Sequence, residues 1–445
     1  MTGVPLSRQI AQRLDGAHLP EGARHTAWRL SLDIVGLAIA ARETAYVQAV
    51  LGSCVSEGPA TVFGHERRLN LYDAALVNGT AAHGEDFDDT FEGGPVHAGA
   101  VVVPAILALA DQRALDTETI VRGIAVGAEL MCRLSLVAPQ AIHKAGFHPT
   151  AVIGALAAAA AASAALKLDE ERFVNALGTA GSLASGIIEY LADGSWTKRL
   201  HAGAAAGAGL RAALLAENGF VGPSTVLEGS HGFFKAFAPS KVPDFASVLD
   251  GLGERWIMEE VAFKPYACGT MTQPFVDCAL ELARQGIEAE NIEQLLCFVG
   301  EGTIHRLWEP LKLKQTPPNG YAAKFSTPFC VAVGFLDGAA GLKQFTDARV
   351  AETAVRALAA KVLYEIDPND AYPRNFTGRI RARLKDGRVI EVRKPHMRGG
   401  KNEPLSDEEL LSKFNANVAF GNVHAHIRQH ALDRIDALSL SRSTC

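Results

Sequence analysis

The chain has 445 residues, 48% of them apolar and 21% charged, with a formal net charge of −6. That is a globular composition with more length than one hydrophobic core usually serves, so two domains are expected. The acidic balance excludes a broad electrostatic attraction to nucleic acid or to an anionic membrane surface, and any anionic ligand must be met by local cations.

Seven cysteines, at 54, 132, 268, 278, 297, 330 and 445, form no Cys-x-x-Cys spacing and are odd in number. Reduced thiols in a cytoplasmic protein are expected from that usage. The first residues, MTGVPLSRQIAQRLDG, lack a basic stretch followed by an apolar core, so no secretory signal is read there.

From Ala27 to about Phe237 the periodic segments are helical: WRLSLDIVGLAIAA, LYDAALVNGTAAH, VVVPAILALADQRAL, ETIVRGIAVGAELMCRLSLVA, FVNALGTAGSLASGIIEYL and HAGAAAGAGLRAALLAENG. Small residues saturate them, which predicts close helix-to-helix approach despite the cost of glycine inside a helix, about 1 kcal/mol against alanine. Eighteen uncharged residues, PTAVIGALAAAAAASAAL, raise the question of a membrane span. Alanine dominates them and buries little apolar area, so a close-packed buried helix is the reading.

After Gly253 the pattern changes. Strand-like runs appear in ERWIMEEVAFKP, EQLLCFVGEG and FTGRIRARLKDGRVIEVRKP, the last with Asp386-Gly387 at a position suited to a two-residue type I′ hairpin turn. Helices QPFVDCALELARQG and TPFCVAVGFLDGAAGL alternate with them, and the tail returns to helix with Ser406 and Glu409 spaced as a capping box. The expected fold is mostly α with an α+β second domain. A large all-helical domain is formed by both chain ends, residues 1–261 and 398–445, and an α+β lid domain, 262–397, is inserted. The active site is expected where the two meet.

Chemistry gathers in a few segments. HGEDFDDTFEGGPVH places Glu85, Asp86, Asp88, Asp89 and Glu92 between His83 and His97. Adjacent carboxylates repel and need water, backbone N–H groups or cations. A solvated loop capping the next helix and a divalent-metal site are both open readings, the second without diagnostic ligand spacing. His148, in GFHPT, either caps a helix that begins at Pro149 or faces an anion pocket at that helix N-terminus. Lys198 and Arg199, in SWTKRLHAG, are either a solvated cluster or a carboxylate clamp.

Read in order, DFDDTFEGGPVHAGAVVVPAILALA, GFHPTAVIGALAAAAAA, GSWTKRLHAGAAAGAG, FKPYACGTMTQPFVDCALEL and GGKNEPLSDEELLSKF resemble the motif series of the MmgE/PrpD family. That family includes 2-methylcitrate dehydratases, cis-aconitate decarboxylases and iminodisuccinate epimerases. The resemblance implies a helical domain with an inserted α+β lid, a homodimer, and chemistry with no cofactor and no metal. It carries active-site roles onto Asp86, Thr90, His97, His148 and Lys198.

Two departures stand out. Many relatives have histidine where this chain has Gln273, which can hydrogen-bond but cannot serve as general acid or base near neutrality. Others have an aromatic hydroxyl where this chain has Phe329.

The function implied is a carbon-acid enzyme acting on a small polycarboxylate, a 2-methylcitrate dehydratase-like hydro-lyase first. An epimerase or decarboxylase of the same family is the alternative, and a non-catalytic carboxylate-binding homolog a further one. Reaction would leave negative charge on a carbon next to a carboxylate, and nearby cations would stabilise it. Lys198, with Arg199, is assigned to the substrate carboxylates. His148 and His97 are the proton donors and acceptors, Asp86 orients or charge-stabilises one of them, and Thr90 hydrogen-bonds. Gln273 and Cys268 are placed among the substrate-binding residues. The expected partner is the polycarboxylate itself, with neither nucleic acid nor membrane.

Overall fold

The computed structural model describes residues 3–439, so Cys445 lies outside the described residues. The chain divides into two compact units, one made of Met1–Gly84, Asp88–Val261 and Leu410–Cys445, the other of Glu85–Phe87 and Ala262–Glu409.

The first unit is built from helices α1 (Glu21–Ala41), α2 (Leu71–Gly84), α3 (Ala98–Arg113), α4 (Thr117–Val137), α5 (Pro149–Ala165), α6 (Glu170–Leu183) and α7 (Thr197–Glu217). Helix α7 packs most extensively on α2 and α5, and α5 also lies against α4. The small residues make this possible. A Cβ on Gly79 would stand 2.6 Å from the Cα of Gly203, so α2 and α7 cross backbone to backbone.

The alanine-rich segment is α5, buried along almost its whole length. Its stability comes from dense contact on every side, since each alanine contributes little area of its own. No single helix among the described residues is long and apolar enough to cross a membrane.

One ionic feature anchors this core. Arg133, on α4, is 1% exposed and its side chain donates to Glu129 and to the backbone carbonyls of Val248, Asp250 and Arg255. Burial pushes the Glu129 carboxyl up, and Arg133 opposes that shift. Arg133→Met is therefore expected to strand a buried acid and three carbonyls, lowering stability by about 3–5 kcal/mol. Chemical denaturation of the purified variant checks this.

The run FVNALGTAGSLASGIIEYL is not one helix. Helix α6 ends at Leu183, Gly186 takes a φ of 130°, and a separate turn of helix begins at Tyr190. The break brings Gly186 against the start of α5, where its carbonyl accepts the His148 N–H at 2.9 Å and Phe147 bridges to Ile187.

The second unit contains α8 (Gln273–Arg284), β1 (Ile292–Val299), α9 (Thr327–Asp337), β2 (Val362–Ile366), β3 (Gly378–Leu384) and β4 (Val389–Lys394). The sheet order is β2-β1-β3-β4, with β1 and β2 parallel and the other pairs antiparallel. Helix α8 packs on β3, β4 and α9. Along β3, Ile380, Ala382 and Leu384 turn inward, while Arg379 and Arg381 reach Glu391 across the ladder.

The hairpin falls where the alternation placed it, but its turn differs. Leu384 N–H bonds Arg388 at 2.9 Å, so Lys385, Asp386 and Gly387 form a three-residue loop. Only Gly387 is left-handed, with φ 88°, whereas a type I′ turn needs positive φ at both central residues.

ERWIMEEVAFKP likewise yields a 3-10 turn, Ile257–Glu260, and only a two-residue strand, Val261–Ala262. The second unit also runs on to Glu409, beyond 397, because Gly399 pairs through its backbone with Phe263 and Glu403. The Ser406–Glu409 capping box closes in both directions, at 2.8 and 3.2 Å.

Candidate active site

Most of the segment from His83 to His97 is buried rather than solvated, with Gly93 and Pro95 exposed and Glu85 and Glu92 half-buried. His83 is 1% exposed and Asp88 and Asp89 are both 0% exposed. Part of the capping reading does hold, since Asp89 Oδ1 accepts the Gly99 N–H at 3.0 Å at the start of α3. Burial first, and the neighbouring Asp88 next, push the Asp89 carboxyl up to about 8. Burial thus favours the neutral form of Asp89, which relieves the repulsion between the paired aspartates.

Four imidazoles meet in this unit. His83 ends α2, His97 precedes α3, His148 precedes α5, and His201 lies on the first turns of α7. Ring centroids are 4.9 Å apart for His83 and His97, 5.5 Å for His83 and His148, and 5.3 Å for His148 and His201. Tyr190 stands edge-on to His148 and His201, at 6.2 and 5.8 Å. The helix break after α6 is what delivers Tyr190 there.

Their hydrogen bonds define which atoms can work. His97 Nδ1 lies 2.6 Å from the Asp89 carbonyl, which can only accept, so Nδ1 carries the proton and Nε2 keeps the lone pair. His83 Nδ1 lies 2.7 Å from Asp88 Oδ2, and the same oxygen is 3.6 Å from His97 Nδ1. His148 and His201 meet through their Nδ1 atoms at 3.2 Å, so one donates and the other accepts.

Burial holds the His148 imidazolium well below its ordinary range, helped by His83, Lys198, His201 and His97. Burial, His83 and Lys198 bring His201 down to about 4. Both rings are neutral near pH 7.

Donor atoms of His83, Asp88 and His97 fall within 4.8 Å of one another, as the ligands of a metal ion would. The Nδ1 atoms of both histidines are engaged within the protein, that of His97 with the Asp89 carbonyl and that of His83 with Asp88.

The structure thus gathers His97, His148 and Lys198, three of the residues read from the sequence. Lys198 is half-buried at the start of α7 and its charge acts on both His148 and His201. Thr90 is buried beside Asp89 on a two-residue strand. Arg199 is also buried, with its guanidinium 4.4 Å from the centroid of the Tyr46 ring. His83 and Asp88 stand in HGEDFDDTFEGGPVH and His201 in SWTKRLHAG, but none of the three was assigned a catalytic or binding role from the sequence.

Asp86 falls in the second unit, with a left-handed φ of 53°. There Lys264 Nζ donates to its carbonyl at 2.9 Å and lies 3.7 Å from its carboxylate. Beside it, Lys324 Nζ donates to the Glu85 carbonyl at 2.7 Å and pairs with its carboxylate at 2.9 Å. Two lysines, each 1% exposed, therefore hold Glu85–Asp86 by backbone and side chain together.

Gln273 and Cys268 require correction as substrate-binding residues. The Gln273 amide is spent on its own chain: Nε2 donates to the carbonyls of Tyr266 and Cys268 at 2.9 and 2.8 Å, and Oε1 accepts the Tyr266 N–H at 3.2 Å. It clamps the KPYACG turn from within. Cys268 is wholly buried behind that clamp, and Phe329 is buried against Phe345.

Comparison with known proteins matches two family models along the chain, the second extending past Glu409 into residues that belong to the first unit. The MmgE/PrpD N-terminal domain matches residues 8–246, and the MmgE/PrpD C-terminal domain matches residues 266–437. The chain is 29% identical over 430 residues to the cis-aconitate decarboxylase of Mus musculus, covering 90% of this chain and 84% of that protein. Against the cis-aconitate decarboxylase of Homo sapiens it is 29% identical over 417 residues, covering 90% and 85%. The cis-aconitate decarboxylase of Aspergillus terreus (strain NIH 2624 / FGSC A1156) is also 29% identical, over 423 residues, with 90% and 84% covered.

Proposed function

The chain belongs to the MmgE/PrpD family, and from that premise we propose that it is a lyase acting on a small di- or tricarboxylate through charge on a carbon next to a carboxylate. The observation that carries this reading is the buried group of four imidazoles beside Lys198. Decarboxylation of a cis-aconitate-like tricarboxylate is the first activity proposed, because the relatives compared above are decarboxylases.

In that reaction the bond to the departing carboxylate breaks and its electron pair stays on carbon, spreading into the neighbouring unsaturation and carboxylate. Lys198 offsets the developing charge in a water-poor setting. His97 takes up a proton from solvent at Nε2 and delivers it to that carbon, and the Asp89 carbonyl and Asp88 carboxylate hold its ring while it is charged.

A second reading, dehydration, draws on the contrast between His148 and His97. An imidazole kept neutral by burial is a ready base for an α-proton, and a second imidazole bound to a carbonyl and near a carboxylate can protonate a departing hydroxyl. With Gln273 and Phe329 committed to structure, the proton work falls on the histidines in either case.

A homodimer is part of the same proposal. Ile187, Leu191 and Trp196, which lie close in sequence to the imidazole group, leave 60, 57 and 49% of their surface exposed and offer apolar area to a second copy.

Incubation with cis-aconitate, citrate, 2-methylcitrate and iminodisuccinate, read by NMR and carbon dioxide release, tests the reading. Carbon dioxide from cis-aconitate supports decarboxylation and water loss from a hydroxy acid supports dehydration. Inertness toward the whole panel overturns it.

A further inference from the structure

The four imidazoles are not equivalent, and His83 is the one bonded to a fully buried carboxylate. His83 and Asp88 are joined at 2.7 Å with both side chains 0% exposed. The carboxylate accepts, so His83 donates from Nδ1. Its Nε2 is buried with no hydrogen-bond partner. The bond to Asp88 therefore fixes the orientation of the ring.

Onto the fixed ring fall both candidate proton carriers. His148 lies nearly parallel to it, 25° between planes at 5.5 Å, and His97 is tilted by 53° at 4.9 Å. The same Asp88 oxygen faces His97 Nδ1 at 3.6 Å.

We propose that His83 is a positioning residue: with Asp88 it forms a rigid pair that steadies the rings of His97 and His148 packed on it and sets the electrostatic surroundings of His148, without touching substrate. This rests on the reading of His97 and His148 as the proton carriers. The groups facing His148 are His83 from α2, His97 from the start of α3, Lys198 and His201 from α7, and Tyr190 from the short helix before it. After burial, His83 is the largest of the influences that keep His148 neutral.

Two variants separate the bond from the ring. His83→Phe keeps an aromatic ring and loses the bond to Asp88, whereas His83→Asn keeps an N–H for Asp88 and loses the ring. Both should move the acid limb of kcat/KM to higher pH, because a group that held His148 down is gone and its base form is then lost at a higher pH.

His83→Phe should also lower kcat at least tenfold with KM within about threefold, the mark of lost orientation, and His83→Asn should recover much of that loss. Wild-type kcat and an unmoved limb in folded His83→Phe overturn the proposal. If that variant does not fold, an unmoved limb in His83→Asn does so.

An arm independent of substrate uses protein labelled with ¹⁵N-histidine. Wild type should show one His97 tautomer protonated at Nδ1, with the His148 midpoint below that of either variant. Equal midpoints and unchanged His97 signals overturn the proposal even if the wild type turns over none of the panel, a result that would count separately against the lyase reading.

Discussion

His148→Ala is expected to lower turnover by about 10²–10⁴-fold, the usual contribution of a positioned general acid or base, with the helical unit still folded. The imidazole is buried at the start of α5, stacked on His83 and bonded to His201, so its removal leaves a small polar gap rather than a collapsed core. The stability cost should be about 1 kcal/mol, that of one neutral hydrogen bond, and a melting curve on the same sample separates it from the kinetic effect.

The wild-type pH profile should agree. His148 is held well below the ordinary imidazole range, so its base form persists into acid and is lost only as pH falls through that lowered value. The acid limb of kcat/KM is therefore expected below the ordinary imidazole range, and in His148→Ala it should no longer report an imidazole.

Lys198→Met is expected to lower kcat by about 10²–10³-fold, the scale for losing one preorganised charge at a developing anion. The methionine keeps the length and apolar stem of the side chain, so packing at the head of α7 is conserved. A second effect of opposite origin identifies the residue. Lys198 also pushes His148 and His201 down, so its removal should move the acid limb to higher pH while kcat falls. Lys198→Arg should restore the limb more fully than kcat, because a guanidinium replaces the charge but not the compact ammonium geometry. A variant that lost only substrate affinity, with kcat and limb unchanged, would mark Lys198 as a remote anchor.

Much of the fold was legible because periodicity reports burial. The helices of the first unit and the β3–β4 hairpin follow from apolar spacing, and the crowding of glycine and alanine anticipated the Gly79–Gly203 crossing. What escaped depends on backbone geometry that spacing does not encode. The break at Gly186 and the three-residue loop at Gly387 both turn on positive φ values.

The site shows the same boundary. Motif order drew attention to His97, His148 and Lys198, yet within DFDDT it favoured Asp86, whereas Asp88 is the acid that meets the imidazoles. In a loop, adjacent side chains point in unrelated directions. The left-handed residue Asp86 turns the chain toward Lys264 and Lys324, a reversal that composition cannot reveal. Gln273 looked like a replaced catalytic group, and only its three bonds to Tyr266 and Cys268 show it to be structural.

The most direct test of the histidine group as the proton-transferring centre is solvent-deuterium transfer at the substrate carbon, followed by NMR in wild type and folded His148→Ala. For whichever panel compound the wild type turns over, one deuteron should enter or one proton should leave at a single stereochemical position. The variant should do this at least 100-fold more slowly, consistent with loss of a general acid or base at the lower end of its usual range, about 10². Equal rates of transfer in the two proteins would contradict the account.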